Sequence, residues 1–231
     1  AELESGHATM PVTLGSVDIL DDVEFYGGSF SVIEPATAQE TILIDVVNDI
    51  SFVSELTAGQ SVTMLAEGGF IDESGGRLTA TDVTATAAED ITLLTAIDTI
   101  QATVTGSGNI TIHESDGLIV NGTGLVTPSG DVDVLVDSGA LSLDTALTVT
   151  GSHTIDLTAT SGPLTVNTPV SSVNGVIDLT ATAGSLTLGA SVTSVNGEIT
   201  LEAGSDVFLN AVSTNSNVKV TADLDADGIG A

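Results

Sequence analysis

From Ile110 onward, apolar residues fall in pairs that skip one position: Ile110 and Ile112, Val132 and Val134, Ile155 and Leu157, Ile177 and Leu179, Ile199 and Leu201, Val218 and Val220. Residues two apart in an extended strand share a face, so each pair points inward and the residue between points out. Successive starts lie roughly 19–23 residues apart, the scale of one solenoid coil. A second strand follows eight or nine residues later: Leu118 and Val120, Leu141 and Leu143, Leu164 and Val166, Leu186 and Leu188, Val207 and Leu209. A third apolar contact comes at Leu147, Val170, Val192 and Val212.

This order predicts an all-β chain folded as a right-handed parallel β-helix, or β-solenoid, of roughly triangular section. One coil of about 20 residues cannot bury its own apolar face, whereas stacked coils close a continuous core. At a strand spacing of about 4.8 Å, eleven coils make a rod roughly 50 Å long. Right-handedness follows by extension from the crossover preference of parallel strands. Small residues at Ala159, Ala181 and Ala203 let coil walls approach closely.

Polar columns mark the corners. Asn121, Asp144, Asn167, Gly189 and Asn210 follow the second strand, and such residues tolerate a left-handed backbone. Ser129, Ser152, Asn174, Asn196 and Asn215 form another column before the first strand. Asn-Gly at 174–175 and 196–197 is also a hairpin signal, which keeps an antiparallel β-sandwich open as the alternative. The fixed order and direction of the units favour corners between parallel strands.

The N-terminal part is less regular. Residues 61–231 read as solenoid repeats and residues 1–60 as irregular first coils. Val62 with Met64, Val83 with Ala85, Ile91 with Leu93, and Ile100 with Ala102 continue the alternation, while Gly68-Gly69 through Gly75-Gly76 reads as a looser loop. Val12, Leu14, Val17, Ile19, Val23 and Phe25 alternate without a clear register. Pro35 to Gln39 offers a boundary, but one continuous rod is the favoured reading.

Composition sharpens this picture. Hydrophobic residues make up 42% but aromatics only 3%, so the core must be aliphatic, and Val, Ile and Thr suit a pleated surface. The chain carries 32 acids against two bases, Arg77 and Lys219, for a formal charge of −30. Nucleic acid is excluded as a partner, because phosphate neutralisation needs Lys and Arg. Anionic membrane surfaces are disfavoured for the same reason, and no apolar run approaches the ~18 residues of a membrane span. With no cysteine, neither disulfides nor Cys-ligated metal is available. The chain starts at Ala1 rather than Met and is read as a mature portion or fragment.

The wording of the repeats resembles a known family. The stretches from Leu78 to Leu93 and from Gly197 to Val212 are similar to filamentous-haemagglutinin-like repeats of large bacterial surface and secreted proteins. The resemblance covers roughly residues 60–228 by the repeat logic. It implies an extracellular or cell-surface structural role of the adhesin type. Partners would then be further solenoid coils or copies of the chain stacked end to end, and a host-surface or glycan ligand.

Candidate chemistry is acidic. Asp223, Asp225 and Asp227, followed by Gly228, match the first half of an EF-hand-type loop, in which alternate carboxylates converge on Ca²⁺. A solvated acidic turn is the plainer reading. Asp133, Asp156 and Asp178 should stack on one outer face, where a cation, protonation or screening must relieve their repulsion. Outward Thr158, Thr160, Thr180 and Thr182 resemble an ice-binding array, but one only two coils deep, and solvent-facing strand threonine is the better reading. A carbohydrate-active β-helix enzyme is the remaining alternative. His7, His113 and His153 have no metalloprotease spacing, and abundant carboxylates make any one pair uninformative. The favoured reading is a structural protein, not an enzyme.

Overall fold

The computed structural model describes residues 2–4, 11–73 and 75–223. Every strand pairing in it is parallel, and the strands stack as a β-solenoid of about ten turns with no helix. One sheet of 24 strands and a second of four make up the walls.

A first column of strands runs the length of the rod. Its inward residues are in direct register: Phe30 with Ile50, Ile71 with Ile91, Ile110 with Val132, then Ile155, Ile177, Ile199 and Val218. From Ile50 to Ile199 these residues are completely buried. The pairs read from the skip-one pattern up to Ile199 and Leu201 are therefore the core, while Leu209, Val218 and Val220 on the last coil are exposed. Val136, Ala159, Ala181 and Ala203 also stack in this column, and the narrow alanines are fully buried.

The first coils have a definite register of their own. Val12 pairs with Phe30, Val17 with Ala36, and Val23 with Ile42. Phe25 and Phe30 approach to 4.8 Å between ring centroids, and Phe30 meets Phe52 edge-on at 6.4 Å. Such tilted and edge-on pairs are favoured arrangements. They fill a section that the aliphatic coils fill with Leu and Ile.

The three strands per coil are not the same three throughout. In the N-terminal half a second column, Val17–Ile19, Ala36–Ala38 and Leu56–Ala58, lies between the first and the third. The third column contains Val23–Gly27, Thr41–Val46 and Ser61–Ala66. The second column continues to Leu78 and Thr95, then ends. In the C-terminal half a fourth column, Leu147–Val149, Val170–Ser172, Val192–Ser194 and Val212–Thr214, follows the third. The change happens on one uninterrupted 14-residue strand, Ile91–Val104. Just after it, a register shift opposite Ile100 and Ala102 admits Asn121 to Gly124. Gly122 and Gly124 there have φ of 59° and 76°, a left-handed turn that glycine takes without a Cβ clash. It splits the third column in two and creates the new corner.

Two readings of the turns are corrected. Among the described residues Asp223 is the one non-glycine with positive φ, so Asn121, Asp144, Asn167, Gly189 and Asn210 do not turn through a left-handed backbone. The corner is spread over several residues, and the polar side chains bridge coils instead: Asn167 Nδ2 donates to Asp144 Oδ1 at 2.7 Å, and Asn210 Nδ2 to Gly189 O at 2.8 Å. In its described residues, 68–73 and 75–76, the glycine-rich segment is no loose loop. Ile71–Asp72 within it is paired on both sides, and a Cβ on Gly76 would lie 1.8 Å from Ser54 O.

Candidate functional site

The acidic ladder exists. Asp133, Asp156 and Asp178 occupy one outward position on three successive coils, preceded by Thr111 and followed by Thr200 and Lys219. Partial burial pushes the Asp133 carboxyl above its usual range, with His113 opposing. Burial also raises Asp156; a hydrogen bond from Thr158 opposes it, and Asp133 and Asp178 add to it. Desolvation dominates and like-charge repulsion is secondary. The nearby bases also pair with carboxylates off the ladder: His113 Nε2 lies 2.9 Å from Asp137 Oδ2, and Lys219 Nζ pairs with Glu202.

Among the described residues, the one place where three carboxylates bring oxygens within 4.8 Å of one another is Asp21, Asp22 and Glu40, all exposed. The ladder itself does not form such a three-ligand cluster. Asp223 has φ 58° and its amide donates to Ser205 O at 3.0 Å. Asp225 and Asp227 lie outside the described residues. Thr158 and Thr180 are in register, and Glu202 replaces the hydroxyl on the next coil.

Most of the remaining polar chemistry serves the stacking of coils. Before the first column, Asp90 Oδ1 accepts from the Asn109 amide at 2.7 Å, Asn109 Oδ1 from the Asp131 amide at 2.8 Å, and Asp131 Oδ1 from the Thr154 amide at 2.7 Å. At the end of the fourth column, hydroxyls reach back one coil. Thr150 donates to Pro128 O at 2.7 Å, Ser194 to Gly175 O at 2.9 Å, and Thr214 to Gly197 O at 2.7 Å. Buried polar groups must be paired in this way or carry a desolvation cost.

Two buried glutamates escaped the sequence reading. Glu73 is 3% exposed and Glu114 is completely buried, on the coils immediately before and after the strand Ile91–Val104. The Leu94 amide donates to Glu73 Oε2 at 2.8 Å, and the Ile97 amide donates to Glu114 Oε2 at 3.0 Å. Glu114 Oε1 also accepts from the amides of Ser115 at 2.7 Å and Asp116 at 3.1 Å, whereas Glu73 Oε1 is buried without a partner. Burial pushes Glu73 up to about 9, against the amide of Leu94 and the charge of Arg77. Burial raises Glu114 as well, opposed by its hydrogen bonds. Their signal was a carboxylate at inward parity: Ile110, Ile112 and Glu114 alternate, as do Ile71 and Glu73.

No family model, no curated protein and no solved structure matches the chain. Its class is set by its own geometry, that of a parallel β-solenoid repeat protein.

Proposed function

We propose that the chain is a structural rod of an extracellular or cell-surface bacterial protein, a spacer or fibre element of the adhesin type and not a catalyst. The observation that carries this reading is the use of polar side chains. The Asp90–Asn109–Asp131 caps and the Ser194 and Thr214 hydroxyls are spent on joining one coil to the next. The similarity of the repeats to filamentous-haemagglutinin-like sequences supports the same location. Immunogold labelling and protease shaving of intact source cells test it: surface labelling is expected, and label confined to the cell interior overturns it.

End-to-end stacking, on a further coil of a longer chain or on a second copy, is part of the proposal. Val218 and Val220 hold the inward register of the first column yet are each 45% exposed, so another coil would seat on them. Negative-stain microscopy with and without EDTA separates a fibre from a single spacer. It also tests calcium, which the proposal places at Asp223, Asp225 and Asp227. If chelation leaves both particle shape and melting temperature unchanged, calcium has no structural part.

Glycan binding is the second reading. An open hollow of about 300 Å³ is lined by Phe70, Asp72, Asp90 and Thr92, an aromatic ring beside carboxylate acceptors. Chemical-shift perturbation confined to these residues on adding neutral oligosaccharides would favour it.

A further inference from the structure

The rod changes its cross-section at one strand, and the two glutamates stand at that change. In a parallel ladder each strand amide donates to a carbonyl of the neighbouring coil. The Glu73 amide keeps this pattern, donating to Thr92 O at 3.0 Å. The next rung would run from the Leu94 amide to the Glu73 carbonyl, but the strand Ile71–Asp72 has ended by Glu73. The Glu73 carboxyl takes the rung in place of its own carbonyl. On the following coil Ser115 N still donates to Thr95 O at 3.0 Å, then the chain leaves, and the Glu114 carboxyl takes the Ile97 amide. Each glutamate stands where the first-column strand on its coil departs.

We propose that Glu73 and Glu114 are positioning residues that stitch the strand Ile91–Val104 into the rod where the second column ends, and that loss of a proton from Glu73 loosens this seam.

The two carboxyls differ in what surrounds them. Glu114 has both oxygens hydrogen-bonded to amides, as suits an anion or a shared proton. Glu73 has one oxygen on an amide and one facing the core without a partner, as suits a neutral acid. The charged groups acting on Glu73 are Asp72 on its own strand, Arg77 across the turn and Glu114 beyond the long strand. By register, Leu93 on the long strand and Phe52 on the preceding coil flank it, and neither titrates. Arg77 favours the anion while Asp72, Glu114 and burial oppose it. At neutral pH the balance leaves Glu73 protonated, and alkali places an uncompensated charge inside the seam.

The test is a carboxyl-carbon NMR titration of the ¹³C-glutamate-labelled chain, with urea unfolding of the native protein and Glu73→Gln at pH 7 and pH 10. The Glu73 signal, assigned by its loss in Glu73→Gln, is expected to stay protonated through pH 7 and titrate near 9. The native urea midpoint is expected to fall between pH 7 and pH 10 by more than that of Glu73→Gln, whose amide keeps an acceptor for Leu94 and cannot ionise. A Glu73 carboxyl titrating with the exposed glutamates overturns the proposal. So does an equal alkaline loss in both proteins. Should Glu73→Gln not fold, the titration of Glu114→Gln decides: a glutamate still protonated at pH 7 there supports the proposal, and none overturns it.

Discussion

Asp133 and Asp156 occupy the same outward position on adjacent coils, so two carboxylates stand one strand spacing apart on a face that partly desolvates both. Both carboxyls are raised in the folded rod. Protons therefore bind more tightly to the folded state, and the associated stability is full below the unfolded value of 3.8 and lost as pH rises through the folded one. At neutral pH the ladder costs stability. Asp156→Asn should raise the melting temperature at pH 7 by the equivalent of roughly 0.5 kcal/mol, the scale of exposed charge pairs. The gain should vanish near pH 3 and shrink in high salt, as thermal unfolding across pH and ionic strength will read.

Ser194 joins three points of two coils. Its hydroxyl accepts from the Gly197 amide and donates to Gly175 O, both at 2.9 Å. Ser194→Ala leaves both backbone groups buried without that partner, a loss of about 1–3 kcal/mol. Exposed Ser213, on the outer side of the same column, should tolerate alanine within about 0.5 kcal/mol. Urea midpoints of the two variants make the comparison.

Glycines in the corners are not equivalent. A Cβ on Gly197 would sit 1.9 Å from Gly175 O, whereas one on Gly117 would meet nothing nearer than Ala140 O at 3.5 Å. Gly197→Ala should therefore force the coils apart and destabilise by about 2 kcal/mol or more, as overpacking does. Gly117→Ala should be neutral within about 0.5 kcal/mol, or slightly stabilising through the unfolded chain. Chemical denaturation of both reads the contrast.

The C-terminal coils were legible because one residue type recurs at one parity. Ile155, Ile177 and Ile199 announce their register without any structure. The first coils were harder to read because the repeat length drifts along the rod. It is 19 residues between Asp22 and Thr41, 17 between Asp82 and Thr99, and 22 between Pro128 and Thr150. A drifting period hides the second column, although Ala36, Leu56 and Leu78 lie in register within it. Corner geometry was misread at Asn167 because residue type reports a tolerance, while the observed side chain spends its amide on the coil below. Glu73 and Glu114 could have been flagged as inward acids, but their partners, Leu94 and Ile97, follow only from the register.

Removing a whole coil should be tolerated. Deleting residues 177–198 brings Ile199 onto Ile155, Val207 onto Leu164 and Val212 onto Val170, since Ile177, Leu186 and Val192 are the intervening partners. The product should unfold cooperatively, with a denaturant slope reduced in line with the lost buried surface. Deleting only 177–185 sets the second strand, Leu186–Leu188, where the first belongs and should give an unfolded or aggregated chain. Circular dichroism and urea unfolding distinguish them.

The central claim is that the coils stack one strand spacing apart along a single axis, across the change of section. The chain has no cysteine, so spin labels can be placed at will on the outer first column. Ser31 and Thr111 are separated by four register steps, through Ser51, Asp72 and Thr92. Ser31 and Thr200 are separated by eight, continuing through Asp133, Asp156 and Asp178. Pulsed electron–electron distance measurements on the Ser31→Cys/Thr111→Cys and Ser31→Cys/Thr200→Cys pairs should centre near ~19 Å and ~38 Å at about 4.8 Å per step. Two similar distances, or a longer one that falls well short of twice the shorter, would contradict the rod.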